Sequence, residues 1–102
     1  MTINAFAANS RSIVAPSGRF DFSIHKAFRQ ACDAALKDPR TTEIEVDLSK
    51  VEYIDSSALG MLLLLKDQAD AAGKAICLHG MQGMVGKVLE VANFAKLITL
   101  RQ

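Results

Sequence analysis

The amino-acid sequence predicts an α/β domain with a four- to five-stranded, mostly parallel mixed sheet and helices mainly on one face. Segments with the apolar spacing of helices alternate with short segments rich in β-branched residues. This alternation implies crossover connections between parallel strands. The segment from Glu43 to Leu48 alternates acidic and aliphatic residues, which is the pattern of a strand with one buried face. Helices are therefore expected to cover only that face, and the acids are expected to point to water.

The first predicted element is a hairpin. Two short strands, Thr2 to Ala7 and Arg11 to Ala15, flank the turn-forming pair Asn9-Ser10. A break containing proline and glycine follows. Ser23 is then suited to cap a first helix, whose apolar residues recur at helical spacing until Asp38.

The second half of the chain carries the remaining elements. They are predicted as a strand from Glu43 to Leu48, a helix from Ser57 to Ala72, a strand from Ala75 to His79, a helix from Met84 to Ala92 and a strand from Leu97 to Leu100. Asp55 or Ser56 can cap the second helix, and Gly73 is suited to end it in a left-handed conformation. Asn93 is expected to end the third helix.

The apolar faces of these elements define a candidate core. Its members are predicted to be Phe28, Ala31, Ile44, Val46, Leu48, Leu62, Leu65, Val85, Val88 and Leu89. The two cysteines, Cys32 and Cys77, lie within apolar faces and have no metal-ligand spacing, so we expect buried, reduced thiols.

Length and composition restrict the function further. A chain of 102 residues fits one domain, residues 1–102, and its net charge of +1 has no basic or acidic excess for nucleic acid or an anionic membrane. Any partner is therefore expected to be a protein, and the domain is expected to be a monomer. We find no secretion signal pattern and no apolar run long enough to span a bilayer, which predicts a cytoplasmic location.

Enzyme chemistry has little support in the sequence. His25 and His79 have no ligand-type residue at metal-binding spacing, and no serine has an evident histidine partner. The glycines between Gly80 and Gly86 lack the spacing of a dinucleotide loop and the Lys-Ser/Thr of a phosphate loop. We expect no catalytic residues, no metal and no cofactor.

The most informative stretch runs from Val46 to Leu65, where a strand is followed by Asp55-Ser56-Ser57-Ala58-Leu59-Gly60 and a leucine-rich helix. This stretch resembles the STAS domain family, in particular the anti-sigma factor antagonists of bacteria. Pro16-Ser17-Gly18-Arg19-Phe20-Asp21 resembles the early Gly-x-hydrophobic-Asp segment of the family, and Gly73-Lys74 matches its break before a strand. Ala58 departs from the family, which usually has glycine there.

The resemblance implies a function in signal transduction and transcription regulation. It predicts a phosphoprotein that switches partners, with phosphorylation at Ser56, the first hydroxyl after the motif aspartate, or alternatively at Ser57. The expected partner is an anti-sigma factor or serine kinase of the histidine-kinase-like ATPase fold, opposed by a serine phosphatase. The predicted partner-binding residues are Asp21, Asp55, Ser57, Ala58, Leu59 and Gly60.

Three alternatives stay open at this point. Asp-Ser-Ser before an apolar helix is also an ordinary helix cap, and a cap needs no function. Asp21 and Asp55 can act as turn formers, or they can position the metal-bound nucleotide of a kinase. The family also contains STAS subunits of lipid-transport ABC complexes, which bind an ATPase subunit without phosphorylation.

The local physics of the turn is compatible with a switch. Unpaired N–H groups and the helix dipole at the start of a helix accommodate a phosphate without unfolding the domain. A phosphate adds about −1.5 to −2 charges. We expect one or two apolar residues after the turn to remain exposed as a docking patch that such a charge would disrupt.

Overall fold

The computed structural model describes residues 3–101. Within them the strands are β1 (Ile3–Ala8), β2 (Arg11–Pro16), β3 (Gly18–Phe20), β4 (Glu43–Asp47), β5 (Val51–Ile54), β6 (Ala75–His79) and β7 (Thr99–Arg101). The helices are α1 (His25–Lys37), α2 (Ser56–Ala71) and α3 (Gly83–Val91), with short 3₁₀ helices at Phe22–Ile24 and Phe94–Lys96. Thr2, the predicted start of the first strand, lies outside the described residues.

Five of these strands form the main sheet in the order β1-β2-β4-β6-β7. The β1–β2 pair is antiparallel and the other three pairs are parallel. The mixed, mostly parallel α/β architecture predicted from the sequence is therefore confirmed.

The predicted hairpin is present and turns at the predicted pair of residues. Ala8 pairs with Arg11, so Asn9 and Ser10 alone form the loop. Both have positive φ, 53° and 66°, as a two-residue type I′ turn requires. Asparagine tolerates this conformation better than most residues, which explains its place in the turn.

The two faces of the sheet differ in character. Ile44 and Val46 of β4 are fully buried, and their neighbours in register on β6 are Ile76 and Leu78, which are also buried. The opposite face carries an ion-pair ladder in which Glu43 contacts Arg11 at 3.0 Å and Arg101 at 3.1 Å. Charged groups on one face and aliphatic groups on the other account for helices on a single face.

Glu45 is an exception to the prediction that the acids of this strand point to water. Its residue is only 9% exposed, and its carboxylate lies 3.4 Å from the guanidinium of Arg11. Glu45 lies between Ile13 of β2 and Cys77 of β6, and the long side chain of Arg11, two residues before Ile13, reaches its carboxylate. The prediction was therefore wrong for this residue.

A second, two-stranded parallel sheet formed by β3 and β5 was not predicted. β3 follows β2 after Ser17 alone, and β5 follows β4 after a bend in which the Asp47 carboxylate accepts the backbone N–H of Ser49 at 2.9 Å. The backbone N–H of Gly18 donates to the carbonyl of Lys50 at 2.9 Å and joins the two bends.

Helix caps agree with the sequence at α2 but not at the first helix. Asp55 caps α2, and Gly73 follows it with φ +71° in a Schellman motif, where Lys74 N–H bonds to the Ala69 carbonyl. Ser23, the predicted first cap, lies inside the 3₁₀ helix and donates its backbone N–H to the carboxylate of Asp21. Because this 3₁₀ helix precedes α1, the capping residue is Asp21, two positions before Ser23.

The core fills the space between the sheet and the helices. Its largest fully buried side chains are Phe20, Phe94, Ile44, Leu48, Ile54, Leu62, Leu65, Leu78, Leu89, Ile98, Val14 and Val46. Two predicted members, Ala31 and Val88, are only partly buried at the edge of this cluster. The last strand begins at Thr99, because the 3₁₀ helix at Phe94–Lys96 occupies the chain before it.

Both cysteines are free and buried, as predicted. Only Cys32 belongs to the core cluster, however, because Cys77 pairs with Glu45 on the opposite face of the sheet, so its predicted place on an apolar face was wrong. Burial raises the pKa of the Cys32 thiol to about 12 and that of Cys77 to about 11. Because the thiolate is the reactive form, we expect the native protein to resist a thiol reagent near neutral pH and to react at both cysteines after denaturation. Fast labelling of either cysteine in the native state would contradict the structure.

No helix within residues 3–101 is long and apolar enough to cross a membrane.

Candidate functional site

The β3–β5 pair brings two aspartates of the sequence motifs together. Phe20 and Ile54 are paired across these strands, and Asp21 and Asp55 are the next residues on each. Both aspartates keep an extended backbone, with φ of −137° and −127°. The parallel register therefore continues by one residue and places the two carboxylate-bearing residues side by side at the end of the small sheet.

Asp55 fixes the start of α2. Its Oδ1 accepts the backbone N–H of Ala58 at 3.1 Å, a standard N-cap hydrogen bond. Ser56 is the first residue of the helix and is exposed, whereas Ser57 is partly buried. The cap and the accessible hydroxyl are thus on different residues, so capping does not occupy the side chain of Ser56.

Asp21 forms its own turn on the neighbouring strand. Its Oδ1 accepts the backbone N–H of Ser23 at 3.0 Å and the Ser23 hydroxyl, and its Oδ2 lies 3.4 Å from Nε of Arg19. These hydrogen bonds, with that from the Ser23 hydroxyl the largest cause, lower the pKa of Asp21. The carboxylate is therefore charged at neutral pH.

One face of α2 extends the site along the helix. Ser56, Gly60 and Leu64 are spaced by four residues and are all exposed, with Leu64 at 50%. We call these three residues the α2 stripe. It starts at a hydroxyl, continues over a position without a side chain and ends at an exposed aliphatic group, so none of its three residues carries a charge.

Gly60 has no evident reason within the fold to be glycine. A Cβ added there would have no heavy atom within 4 Å apart from its chain neighbours and the backbone of its own helix turn, and its φ is not positive. A glycine inside a helix costs about 0.5–1 kcal/mol relative to alanine. No contact among the described residues offsets this cost.

The other predicted contact residues take different places. Ala58 is fully buried, and its methyl group packs in the core. Leu59 is partly buried and packs against the core cluster. Within the predicted set, Ser56 and Gly60 are the exposed members, while Asp21, Asp55 and Ser57 are partly exposed.

Two residues near the site were not singled out from the sequence. Phe22 follows Asp21 and is 68% exposed, with its ring stacked on His25 at 5.1 Å between centroids. Arg19 lies over the ring of Tyr53, 3.9 Å from its centroid. The sequence signal that could have indicated Phe22 is its position directly after the Gly-x-hydrophobic-Asp segment. The contact of Arg19 depends on the pairing of β3 with β5.

The acidic groups of the site do not form a metal centre. Among residues 3–101, no group of three or more His, Cys, Asp or Glu side chains is placed to hold a metal ion. The arrangement offers an accessible hydroxyl, two carboxylates held by hydrogen bonds and the α2 stripe.

Comparison with known proteins identifies the family. Residues 5–100 match the family described as "Mlab, STAS domain". The chain therefore belongs to the STAS domain family, as the resemblance of its central motif indicated.

Particular relatives support this assignment. The STAS-domain containing protein PA14_20770 of Pseudomonas aeruginosa (strain UCBPP-PA14) is 43% identical over 83 residues, which are 81% of this chain and 80% of the relative. An anti-sigma factor antagonist from Mycobacterium paratuberculosis has the same fold, with a TM-score of 0.86 and 21% identity over 98% of this chain and 84% of that chain. The Bacillus cell fate determinant SpoIIAA in its phosphorylated form has a TM-score of 0.74 and 15% identity, covering 99% and 92% of the two chains.

Proposed function

We propose that this protein is an anti-sigma factor antagonist of a partner-switching pathway, controlled by reversible phosphorylation of Ser56. The observation that carries the proposal is the α2 stripe, in which an exposed serine hydroxyl adjoins a glycine that the fold does not require. A partner that approaches Gly60 closely would cover Ser56, one helical turn away. Phosphorylation would then place a dianion inside the contact. The phosphorylated form of SpoIIAA, which shares the fold, supports this reading.

The proposed partners follow from this role. An anti-sigma factor or serine kinase of the histidine-kinase-like ATPase fold would bind the unmodified stripe, and a serine phosphatase would restore it. Asp21 and Asp55 lie beside Ser56, where they could position the metal-bound nucleotide of the kinase. The protein would be a monomer, act in the cytoplasm and have no catalytic activity of its own.

The proposal can be tested by intact-mass analysis of the protein purified from its own cells. We expect a species heavier by one phosphate, mapped to Ser56 by fragmentation and absent from Ser56→Ala. Modification at Ser57 instead would move the switch by one residue. An unmodified protein under all growth conditions would contradict the proposal.

A STAS subunit of a lipid-transport ABC complex is the second candidate. The α2 stripe is uncharged and ends at the exposed Leu64, a surface that can hold an ATPase subunit permanently without phosphorylation. The family description that the chain matches, "Mlab, STAS domain", does not favour the antagonist over this alternative. Constant co-purification with a transporter ATPase, without phosphate on the turn, would support the subunit.

Gly60→Ala should separate stability from binding. Alanine favours the helix, so we expect the free energy of unfolding to rise by up to about 1 kcal/mol. The added methyl group stands in the proposed contact, so affinity for the kinase or anti-sigma factor should fall roughly tenfold. Urea unfolding and calorimetric titration measure the two effects.

The control for this pair of measurements is Gln30→Ala, at an exposed position of α1. It should leave the affinity unchanged. Unaltered affinity of Gly60→Ala would show that no partner approaches this glycine.

A further inference from the structure

Arg19 contacts Tyr53 of the small sheet and Asp21 just after it, and strand β5 of this sheet leads directly to the proposed phosphorylation site. Its guanidinium carbon lies 3.9 Å above the centroid of the Tyr53 ring, and its Nε lies 3.4 Å from Oδ2 of Asp21. The side chain is nevertheless 65% exposed. The hydrogen bond to Asp21 uses one of the five N–H donors of a guanidinium group. The ring and the carboxylate thus orient a cation that remains accessible to an anion.

The register of the small sheet sets the distance between this cation and Ser56. Arg19 pairs with Tyr53, and the chain then runs through Asp21 and Asp55 on the two strands. Because adjacent strands are about 4.8 Å apart and consecutive Cα atoms 3.8 Å apart, the Cα atom of Asp21, whose carboxylate Arg19 contacts, is about one strand spacing and one residue from the Cα atom of Ser56. A phosphoryl group on Ser56 would extend further toward this guanidinium.

A contact between Arg19 and a phosphoryl group on Ser56 would offset the negative charge that phosphorylation adds to the site. A phosphoserine at position 56 would add about −1.5 to −2 charges next to the carboxylates of Asp21 and Asp55. The forked guanidinium of arginine matches the oxygens of a phosphate better than a single carboxylate oxygen 3.4 Å away. The Arg19–Asp21 pair is exposed and long, so little opposes its exchange.

We propose that Arg19 is the residue that binds the phosphoryl group on Ser56, leaving Asp21 while it keeps its contact with Tyr53. This inference rests on the proposed modification of Ser56 and names a positioning residue for the modified state. In the unmodified protein Arg19 covers Asp21. In the modified protein it holds the phosphate against the domain and leaves the Asp21 carboxylate uncovered.

The test uses the full chain with phosphoserine incorporated biosynthetically at position 56, so no kinase is needed. The probe is the second pKa of the phosphoserine, about 6 when unperturbed, followed by phosphorus NMR. Arg19→Gln should raise this pKa by about half a pH unit relative to the wild type, the shift that an exposed ion pair produces. In the wild type, the guanidinium resonances of Arg19 should titrate with the same midpoint.

Arg40→Gln is the matched control. Arg40 also bonds to a carboxylate two residues away, that of Asp38 at 3.2 Å, but it precedes β4 at the opposite end of the strands. It should leave the pKa of the phosphoserine unchanged, and thermal melts should show that both variants fold.

The proposal would be overturned if the pKa of the phosphoserine were unchanged in Arg19→Gln or rose equally in Arg19→Gln and Arg40→Gln. It would also be overturned if the Arg19 resonances did not shift as the phosphoserine titrates. The result does not depend on whether cells modify Ser56. Intact mass decides that separately, so the two proposals can fail independently.

Discussion

Replacing Ser56 by aspartate or glutamate should weaken binding to the cognate kinase or anti-sigma factor by roughly a hundredfold to several-thousandfold, whereas Ser56→Ala should bind constitutively. The reason is that an unpaired charge buried in an interface costs on the order of 3–5 kcal/mol. Asp55, not Ser56, supplies the capping oxygen of α2. The loss of the Ser56 hydroxyl should therefore leave the helix start intact.

Calorimetric titration of the wild type and the variants against the partner measures this effect, with thermal melts as the folding control. Ser57→Asp is the comparison variant, because Ser57 is adjacent but partly buried. Equal affinities for wild type, Ser56→Asp and Ser56→Ala would rule out Ser56 as the switch. A defect confined to Ser57→Asp would assign the switch to that residue.

Leu62→Ala should destabilise the domain by about 2–5 kcal/mol, whereas Leu64→Ala should change the free energy of unfolding by less than about 0.5 kcal/mol. Leu62 lies on the face of α2 that packs against the core and is fully buried, so its truncation leaves a cavity there. Leu64 is half exposed on the α2 stripe. We expect its loss to reduce partner affinity with little effect on folding.

Urea unfolding separates the two leucine variants, and the melting temperature of Leu62→Ala should fall by at least about 8 °C. The matched substitution makes the comparison direct, because both changes remove the same atoms from the same helix. Similar losses of stability in the two variants would contradict the orientation of α2.

The elements that the sequence predicts well are those with strong local signals. The hairpin turn at Asn9-Ser10 and the end of α2 at Gly73 both need a positive φ, which few residues adopt readily, so residue type alone points to them. The cap by Asp55 has a similar local origin, since a short acidic side chain suits the first free N–H groups of a helix.

The β3–β5 pair shows what local signals miss. The strands have only three and four residues, so neither has an alternating pattern long enough to predict a strand. Each is stabilised by pairing with the other, which is distant in sequence. The same pairing places Asp21 beside Asp55 and Arg19 over Tyr53. The geometry of the site therefore follows from a long-range contact, although the resemblance of the motifs had already pointed to the aspartates.

The run from Leu62 to Leu65 illustrates a second limit. Leu62 and Leu65 were predicted as core residues, and both are buried. Four consecutive leucines nevertheless lie on every side of a helix, so periodicity does not predict how exposed the other two are. The structure buries Leu62 and Leu65 and exposes Leu64, because the sheet lies on one side of α2 only. Glu45 was misjudged for a related reason, since the arginine that covers it comes from a neighbouring strand.

The fixed positions of Asp21 and Asp55 have a consequence for the rates of partner exchange. Each carboxylate is held by hydrogen bonds to its own turn, at the end of a paired strand, before any partner arrives. No segment of the site needs to order on encounter, so association should proceed at an ordinary rate for the hydroxyl and phosphate forms alike. In the proposed switch, the difference between the two forms should then lie in the lifetime of the complex, so we expect dissociation to set the rate of partner exchange.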